Sequence, residues 1–302
     1  MEALAGSAHR PVLVLTRGAR PAGRGSKLQR TPVAEAAERL GLPLKEIETV
    51  KTGPGFEALV EANPEVLVVV AYGEILPKAV LEAPSVAPVN VHFSLLPELR
   101  GAAPVQRAIL DGLDRTGVTT IRMEEGVDTG PVLLQAEEAI RPEDDAGSLG
   151  ERLALVGGEL LVKTLDGLER GEIEGREQDG SKATYAKKLT PEDRVIDWSA
   201  RADAVVRRVR ALAPQPGAET SFRGKLLKVF QASVKNLYLP PSVAERMTPG
   251  EIYLVDQGPR LAVSVGGLGV VVLEQVQPEG RKRMSGMEFV RGYRPENGEI
   301  LG

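Results

Sequence analysis

The sequence predicts an α/β protein with a Rossmann-like, mainly parallel sheet in its first part and a small β-barrel or sandwich in its last part. Apolar β-type runs alternate with helical runs from the beginning of the chain to about residue 170. The run "EVLVVVAYG" at 65–73 is apolar on both faces, which is typical of a parallel strand covered by helices. After about residue 185, short β-type runs separated by Gly and Pro take over, which favours a small barrel.

Strands and helices of the first part follow one another in order. The helix at 31–41 has the clearest ends, because Thr31 is a cap, Pro32 lies in the first turn and Gly41 is a stop. Strands are predicted at 11–16, 42–49, 65–73, 86–94 and 117–123, and helices at 31–41, 55–63, 76–83, 103–113 and 148–171. Such alternation places a ligand at the carboxyl ends of the strands.

The last part has a different texture. Residues 183–200 are polar with scattered apolar anchors and are predicted to form a surface linker. A basic helix is predicted at 200–212, and strands at 225–233, 250–256, 260–266 and 269–277. We therefore expect a catalytic domain at 1–182, a linker at 183–200 and a C-terminal domain at 201–302.

Composition excludes several classes of site. The chain has 302 residues, no cysteine and only two histidines. Disulfides, thiolate–metal sites, a cysteine nucleophile and a multi-histidine metal site are thus ruled out. The longest apolar run, at 66–72, is too short to cross a bilayer, and we read no secretion signal at the N-terminus. We expect a cytoplasmic protein.

The net charge of −4 is spread unevenly. Residues 200–302 hold 15 Lys and Arg against 10 Asp and Glu, whereas residues 1–199 hold 23 against 32. Two modules with different partners would give this pattern, and so would chance drift in surface charge.

The stretch "VNVHFSLLP" at 89–97 carries the main chemical signal. On a strand, Asn90 and His92 share one face, and the strand ends at a tight bend. Both side chains can donate hydrogen bonds toward a developing oxyanion. The alternative is a satisfied core histidine with a turn-forming Asn.

A carboxylate follows downstream. Asp128 lies between Gly126 and Gly130, glycines that can adopt positive φ and let the loop approach a ligand. It can orient an imidazole or accept a proton, although an Asx turn would also explain it.

Three segments in order, N-x-H-x-S-L-L-P, R-G-A-A-P and G-x-D-T-G-P, resemble the 10-formyltetrahydrofolate-dependent formyltransferases. The resemblance covers nearly the whole chain and is strongest to the branch of the family that acts on methionyl-tRNA. It implies the formyltransferase fold with a C-terminal domain of the oligonucleotide-binding (OB) type. It also implies formyl transfer from 10-formyltetrahydrofolate to initiator methionyl-tRNA, in translation initiation, by a monomer without a metal or membrane partner.

The resemblance also implies roles for particular residues. Asn90, His92 and Asp128 correspond to the catalytic trio. The bend Ser94, Leu95, Leu96 and Pro97 corresponds to the folate site, to which Tyr72, Gly73, Ile75 and Leu76 are added because an apolar slot suits a pterin. Residues 20–28 resemble a loop that embraces the tRNA acceptor end, which implies tRNA contacts for Arg20, Arg24 and Lys27. Basic patches at Arg207, Arg208 and Arg210 and at 281–283 would hold the tRNA stem, or are simply a charged helix face and turn.

This chain departs from the family at its beginning. Family members start with a strand, a short turn and a helix, whereas residues 1–16 resemble the end of that helix and the second strand. We expect the first strand to be missing, which a misplaced start would explain. Phe93 stands where Ala is usual, and Gln215 where Trp is common. Two alternatives stay open: a formyltransferase acting on an amino-sugar nucleotide, and an inactive RNA-binding protein.

Overall fold

Residues 1–22, 27–235, 247–255, 260–267 and 269–302 are described by a computed structural model. Within them the chain forms two compact units. The first combines Met1–Ala102 with Thr116–Glu138 and Arg152–Ala186, and the second combines Ala103–Arg115 with Ala139–Glu151 and Lys187–Gly302. The domain boundaries expected from the sequence, including the linker, stay a proposal.

The described helices are α1 (Glu2–Ala5), α2 (Pro32–Arg39), α3 (Gly53–Ala62), α4 (Lys78–Leu81), α5 (Pro104–Leu110), α6 (Ala146–Glu169), α7 (Pro191–Arg194), α8 (Ala202–Leu212) and α9 (Gly286–Tyr293), with one 3₁₀ turn at Gly180–Lys182. In α2 the Thr31 hydroxyl accepts a hydrogen bond from the N–H of Ala34, as expected of the cap. Among the described helices, none is both long and apolar enough to cross a bilayer.

The described strands are β1 (Val14–Arg17), β2 (Arg20–Ala22), β3 (Lys27–Gln29), β4 (Leu44–Ile47), β5 (Val66–Val70), β6 (Ala87–His92), β7 (Arg100–Gly101), β8 (Arg115–Arg122), β9 (Val132–Ala139), β10 (Tyr185–Ala186), β11 (Ala218–Phe222), β12 (Lys225–Val234), β13 (Ile252–Val255), β14 (Arg260–Val265), β15 (Gly269–Pro278) and β16 (Met284–Ser285). Most of the predicted strands are present within a few residues of their expected ends.

The first unit is built on parallel pairing, which confirms the Rossmann-like α/β prediction. β5 pairs in parallel with β6, and β1 in parallel with β4. β6 also pairs with β8, which runs antiparallel to it, and the order of this sheet is β5–β6–β8–β9. β6 is therefore an inner strand, hydrogen-bonded on both sides, and fixes the direction of its side chains firmly.

The described parallel pairs lie in three separate sheets, β1–β4, β5–β6 and the short pair β7–β10. β1 and β4 form a pair of their own, so that β1 and β5 each have an edge without a strand partner among the described residues. Leu15 of β1 and Leu67 and Val69 of β5 nevertheless pack against one buried cluster, which is made of Ile47, Val50, Leu59, Leu76, Val80 and Leu81.

The second unit contains an antiparallel sheet in the order β11–β12–β15–β14–β13, with β16 beside β15. Register shifts between Val229 and Ala232 mark a bulge in β12, a feature that bends a sheet toward closure. One face of α8 buries Val205, Val209 and Leu212 in the core of this unit. Trp198, the only tryptophan of the chain, lies in the same core and donates its indole N–H to Thr220.

Candidate active site

The strand β6 brings two polar side chains to one point. Val89 and Val91 are buried, with 0% and 4% exposed, and the alternation of the strand turns Asn90 and His92 to the opposite face. Asn90 Nδ2 donates a hydrogen bond of 3.3 Å to Oδ1 of Asp128. Nδ1 of His92 lies 3.6 Å from Oδ2 of the same carboxylate. The structure thus places the three residues of the expected trio together.

The Asp128 carboxylate has a third neighbour, from the backbone. The N–H of Gly101, the second residue of β7, donates a 2.8 Å hydrogen bond to Oδ2. Gly101 has φ of +121°, and a Cβ there would lie 2.7 Å from the carbonyl oxygen of Ala186. Only glycine fits this position, which aims its N–H at the carboxylate. The N–H of Gly101 therefore fixes the position of the carboxylate, and a carboxylate beside the two side chains of β6 can act as a general base.

The hydrogen bonds of His92 decide which ring nitrogen faces the site. Nε2 lies 2.9 Å from the carbonyl oxygen of Leu99, which can only accept, so Nε2 carries a hydrogen. Nδ1 is therefore the nitrogen that faces Asp128. The position of Leu99 is itself fixed, since its N–H donates a 2.8 Å hydrogen bond to Oγ1 of Thr184. Among the described residues, no His, Asp and Glu side chains are grouped so that they could hold a metal ion.

The loop between β8 and β9 differs in detail from the expectation. Positive φ occurs at Asp128 itself, at +53°, and not at the two glycines around it. Gly126 and Gly130 are needed for space: a Cβ on the first would lie 2.0 Å from Oγ1 of Thr129, and one on the second 1.9 Å from the carbonyl oxygen of Arg122. The glycines thus let the loop fold tightly, while the strained residue is the functional candidate.

The Ser-Leu-Leu-Pro bend is held by the strands beside it. Thr119 on β8 donates to the carbonyl oxygen of Ser94 and accepts from the N–H of Leu96. Gln135 on β9 donates to the carbonyl oxygen of Leu96 and to Thr119. Ser94 and Leu96 are buried, with 0% and 3% exposed, while Leu95 and Pro97 are half-buried. The last two are the bend residues whose side chains reach the surface.

The segment between β5 and α4 holds the other predicted folate contacts. Tyr72 is half-buried and accepts a hydrogen bond from the N–H of Val50 through its hydroxyl oxygen. Leu76 is buried in the core, whereas Gly73 is exposed and Ile75 is 68% exposed. The exposed side chain of Ile75 offers apolar surface to a planar ring.

An ion cluster lies in the same segment. Glu74 forms ion pairs with Arg17, which ends β1, and with Lys51, whose Nζ lies 3.2 Å away. The hydrogen bonds from Lys51 and then Arg17 hold the pKa of the Glu74 carboxyl below its usual value of 4.5, against the smaller effect of desolvation. This carboxylate connects the chain around residue 74 to the end of β1 and to the segment between β4 and α3.

The basic residues predicted to contact tRNA fall into three groups. Arg20 is exposed, the side chain of Lys27 is not described, and Arg24 lies outside the described residues. On α8, Arg207 pairs with Asp203 at 2.7 Å, and Arg208 donates to the carbonyl oxygens of Asp193 and Val195. Residues 281–283 are exposed. Contacts of all of these with tRNA stay a prediction.

Several residues that support the trio were not among the sequence candidates. Thr184 and Gln178 lie in and near the segment predicted to be a linker, and Thr119 and Gln135 lie on β8 and β9. These residues form hydrogen bonds to partners 16 to 85 positions away in the sequence, and no local pattern reveals such contacts. A polar residue at a strand's buried face, such as Thr119 with 0% exposed, was the one available hint.

Comparison with known proteins gives the same result for both parts of the chain. Residues 2–165 match the formyl transferase family, and residues 188–294 match the formyl transferase C-terminal domain. The chain is 43% identical over 296 residues to a methionyl-tRNA formyltransferase of Heliobacterium modesticaldum, with 97% of this chain and 93% of the relative covered.

Two solved structures are similar in fold. The methionyl-tRNA formyltransferase of Clostridium thermocellum matches with a TM-score of 0.55 and 19% identity over 74% of this chain and 93% of its own. HypX of Aquifex aeolicus, crystallised with tetrahydrofolic acid, matches with a TM-score of 0.62 and 20% identity over 89% of this chain and 47% of its own.

Proposed function

The chain belongs to the formyl transferase family, and on that premise we infer that it transfers a formyl group to the amino group of methionyl-tRNA. The product is N-formylmethionyl-tRNA, which is used in translation initiation. The observation that carries this assignment is the meeting of Asn90, His92 and Asp128 at one carboxylate, in a chain that shares 43% identity with a methionyl-tRNA formyltransferase over 97% of its length.

The donor is 10-formyltetrahydrofolate, as the motif resemblance implies. The apolar surface of Leu95, Pro97, Tyr72 and Ile75 is suited to its flat pterin ring, with Gly73 leaving space between them. Ser94, Leu96 and Leu76 are buried and act by shaping the bend and the strand end behind it.

The reaction is acyl transfer without a covalent enzyme intermediate. The methionyl amine attacks the formyl carbon, a carbon–nitrogen bond forms, and the carbonyl oxygen becomes negative. Asn90 Nδ2 donates a hydrogen bond to that oxygen, an effect worth about 10²–10³ in rate for such a donor, and a ring of His92 that carries hydrogen on both nitrogens adds a second donor through Nδ1. Asp128 accepts the proton that the attacking amine loses. The intermediate then collapses, the bond to N10 of the folate breaks, and N10 takes up a proton.

The role of the carbonyl oxygen of Leu99 follows from this scheme. It accepts the hydrogen bond from Nε2 of His92 at 2.9 Å. The other ring nitrogen, Nδ1, is thereby directed toward the reacting atoms. Without that acceptor the ring would be free to turn, and a rotation of the ring would cost alignment in the transition state.

The tRNA is held by charge. Arg20, Arg24, Lys27 and the exposed residues at 281–283 contact phosphates, while Arg207 and Arg208 contribute only as far as their existing hydrogen bonds allow. We propose that the protein works as a cytoplasmic monomer. An amino-sugar nucleotide as acceptor is not favoured, because the relative that shares 43% identity is named a methionyl-tRNA formyltransferase.

A direct assay tests the assignment. The protein is incubated with 10-formyltetrahydrofolate and initiator tRNA charged with radiolabelled methionine, and formylmethionine is quantified after hydrolysis. Formylation of the charged tRNA, with none of an amino-sugar nucleotide, supports the proposal. Formylation of the sugar nucleotide alone would contradict it. Binding of tRNA should weaken steeply with salt.

A further inference from the structure

Gln178 lies against the Asp128 loop and uses its whole amide group there. Its Nε2 donates hydrogen bonds of 2.8 Å to the carbonyl oxygens of both Asp128 and Gly130. These two carbonyl groups bracket Thr129, so one side chain holds the loop on both sides of its turn. Gln178 comes from the segment after α6, and its hydrogen bonds span 48 and 50 positions of sequence.

The amide oxygen of Gln178 is occupied as well. Nε and Nη2 of Arg100 donate to its Oε1 at 3.1 and 2.7 Å. Arg100 is only 7% exposed, and no carboxylate of the described residues forms an ion pair with it. Such a buried guanidinium fixes an acceptor firmly, because leaving its donors unsatisfied is costly.

These contacts close a ring around the carboxylate. Arg100 is followed by Gly101, whose N–H donates to Oδ2 of Asp128, and the carbonyl of Asp128 accepts from Gln178, which is held by Arg100. Asp128 has φ of +53°, in the left-handed region, where a residue other than glycine carries backbone strain. The ring supplies that support from the main chain on one side and from Gln178 on the other.

We propose that Gln178 is a positioning residue for the reaction: together with Arg100 it holds the Asp128 loop so that the carboxylate meets Asn90, His92 and the N–H of Gly101. This role rests on the proposed function of Asp128, but the geometric part of the proposal does not need it. Gln178 itself is not expected to touch either substrate.

The chemistry of the site requires glutamine at this position. Two carbonyl oxygens need N–H donors and the guanidinium needs an acceptor, and a glutamine amide offers both at once. A glutamate in place of Gln178 would gain an ion pair with Arg100 but would turn an oxygen toward the carbonyl groups of Asp128 and Gly130. We therefore expect Gln178→Glu to keep the fold and Arg100 satisfied while it displaces the loop.

The test compares Gln178→Ala and Gln178→Glu with the control Glu177→Gln, a neighbouring exposed residue. We expect both Gln178 variants to lower kcat by about 100-fold, the cost of misplacing a catalytic group by about 1 Å, with KM for donor and tRNA within about twofold of wild type. In the Asp128→Asn background the same substitutions should have little further effect, because the group they position is gone.

A second readout does not depend on activity. The amide proton of Gly101, observed by NMR with selective glycine labelling, reports its hydrogen bond to Asp128. It should move upfield in both Gln178 variants and stay unchanged in Glu177→Gln. Unchanged kcat and an unmoved Gly101 signal in a folded Gln178→Glu protein would overturn the proposal, as would a raised KM with unchanged kcat. If wild type formylates nothing, the proposed function fails, and the Gly101 signal still decides the positioning role.

Discussion

Nδ1 of His92 lies 3.6 Å from Oδ2 of Asp128, while Nε2 of the same ring is held by the carbonyl oxygen of Leu99. The ring is therefore fixed through Nε2, and its Nδ1 points toward the carboxylate. Nδ1 is therefore the nitrogen of His92 that is placed to act on a substrate bound beside Asp128.

Replacing His92 with Ala should abolish measurable formyl transfer, by at least about 10²–10³-fold in kcat, because an oxyanion donor is lost. Affinity for tRNA should stay nearly unchanged, since a side chain in a residue that is 5% exposed offers little surface to the phosphates. Single-turnover formylation and filter binding measure the two effects. His9→Ala is the matched control, because His9 pairs with Asp166 and takes no part in the site. Normal formylation by a folded His92→Ala protein would remove His92 from the mechanism.

Replacing Asn90 with Asp removes a donor and puts a second carboxylate beside Asp128. In the wild type, Nδ2 of Asn90 lies 3.3 Å from Oδ1 of Asp128. The side chain keeps its shape, so the fold should persist. We expect kcat to fall by about 10²–10³-fold at neutral pH, and more than in a variant that merely lacks the donor, because two neighbouring carboxylates repel each other. Comparison with Asn90→Ala in the same kinetic assay isolates the charge. Equal rates in both variants would show that the added charge is not felt.

Replacing Thr184 with Val keeps the volume of the side chain and removes the acceptor for the N–H of Leu99, 2.8 Å away. Leu99 is 4% exposed, so its N–H would be left unsatisfied at a cost of about 1–3 kcal/mol in the free energy of unfolding. Because Leu99 also holds His92, kcat should fall together with stability. Calorimetry and kinetics measure both, with Thr52→Val as control because the Thr52 hydroxyl forms no capping hydrogen bond. A stable Thr184→Val protein with full activity would contradict the link.

Stability should depend on pH through Glu74. Its pKa is lowered in the folded protein by Lys51 and Arg17, so its contribution is fully present above the ordinary value of 4.5 and is lost as the pH falls through the lowered value. Wild type should therefore have a higher Tm than Glu74→Gln at about pH 7, and the two Tm values should converge in acid. Glu61→Gln, an exposed glutamate on α3, serves as control. A Tm difference that is the same at every pH would refute this attribution.

The edge of β5 should be visible in hydrogen exchange. β6 is paired on both sides, whereas β5 is paired on one side only among the described strands, and Val70 is 47% exposed. Every second N–H of Val66–Val70 should exchange at least about 100-fold faster than the N–H groups of β6, because it has no strand partner. Mass spectrometry with fragmentation, or NMR, resolves these positions. Uniform slow exchange along β5 would mean that its second edge is covered.

Much of the fold was predictable because periodicity is a local property. The run at 66–70 is apolar at every position, and α8 repeats its buried residues at positions 205, 209 and 212. The short strands β2, β3, β7, β10 and β16 were missed, since two or three residues carry no period. The longer strands β9 and β11 were missed as well, because polar residues interrupt their apolar positions. The helix α9 was also missed, although Ser285 and Glu288 form a capping box, which is a sequence pattern typical of a helix N-terminus.

The candidate site was predictable in its trio and not in its support. Asn90 and His92 lie two positions apart on one strand, so alternation alone puts them on one face. Gln178 and Thr184 contact the site over 48 to 85 positions, and only the folded chain brings them there. The left-handed conformation at Asp128 was assigned to its flanking glycines for a related reason: glycine is the usual residue at positive φ, and the exception is imposed by tertiary contacts.

The most direct test of the central claim is the single-turnover rate of formyl transfer from 10-formyltetrahydrofolate to initiator methionyl-tRNA by wild type and by Asp128→Asn. The amide is nearly the same size and can still accept from Asn90, but it is not a base. We predict rapid transfer by wild type and a loss of at least about 100-fold in the variant, with both proteins folded. Equal rates in the two proteins would show that proton transfer does not pass through Asp128 and would contradict the mechanism.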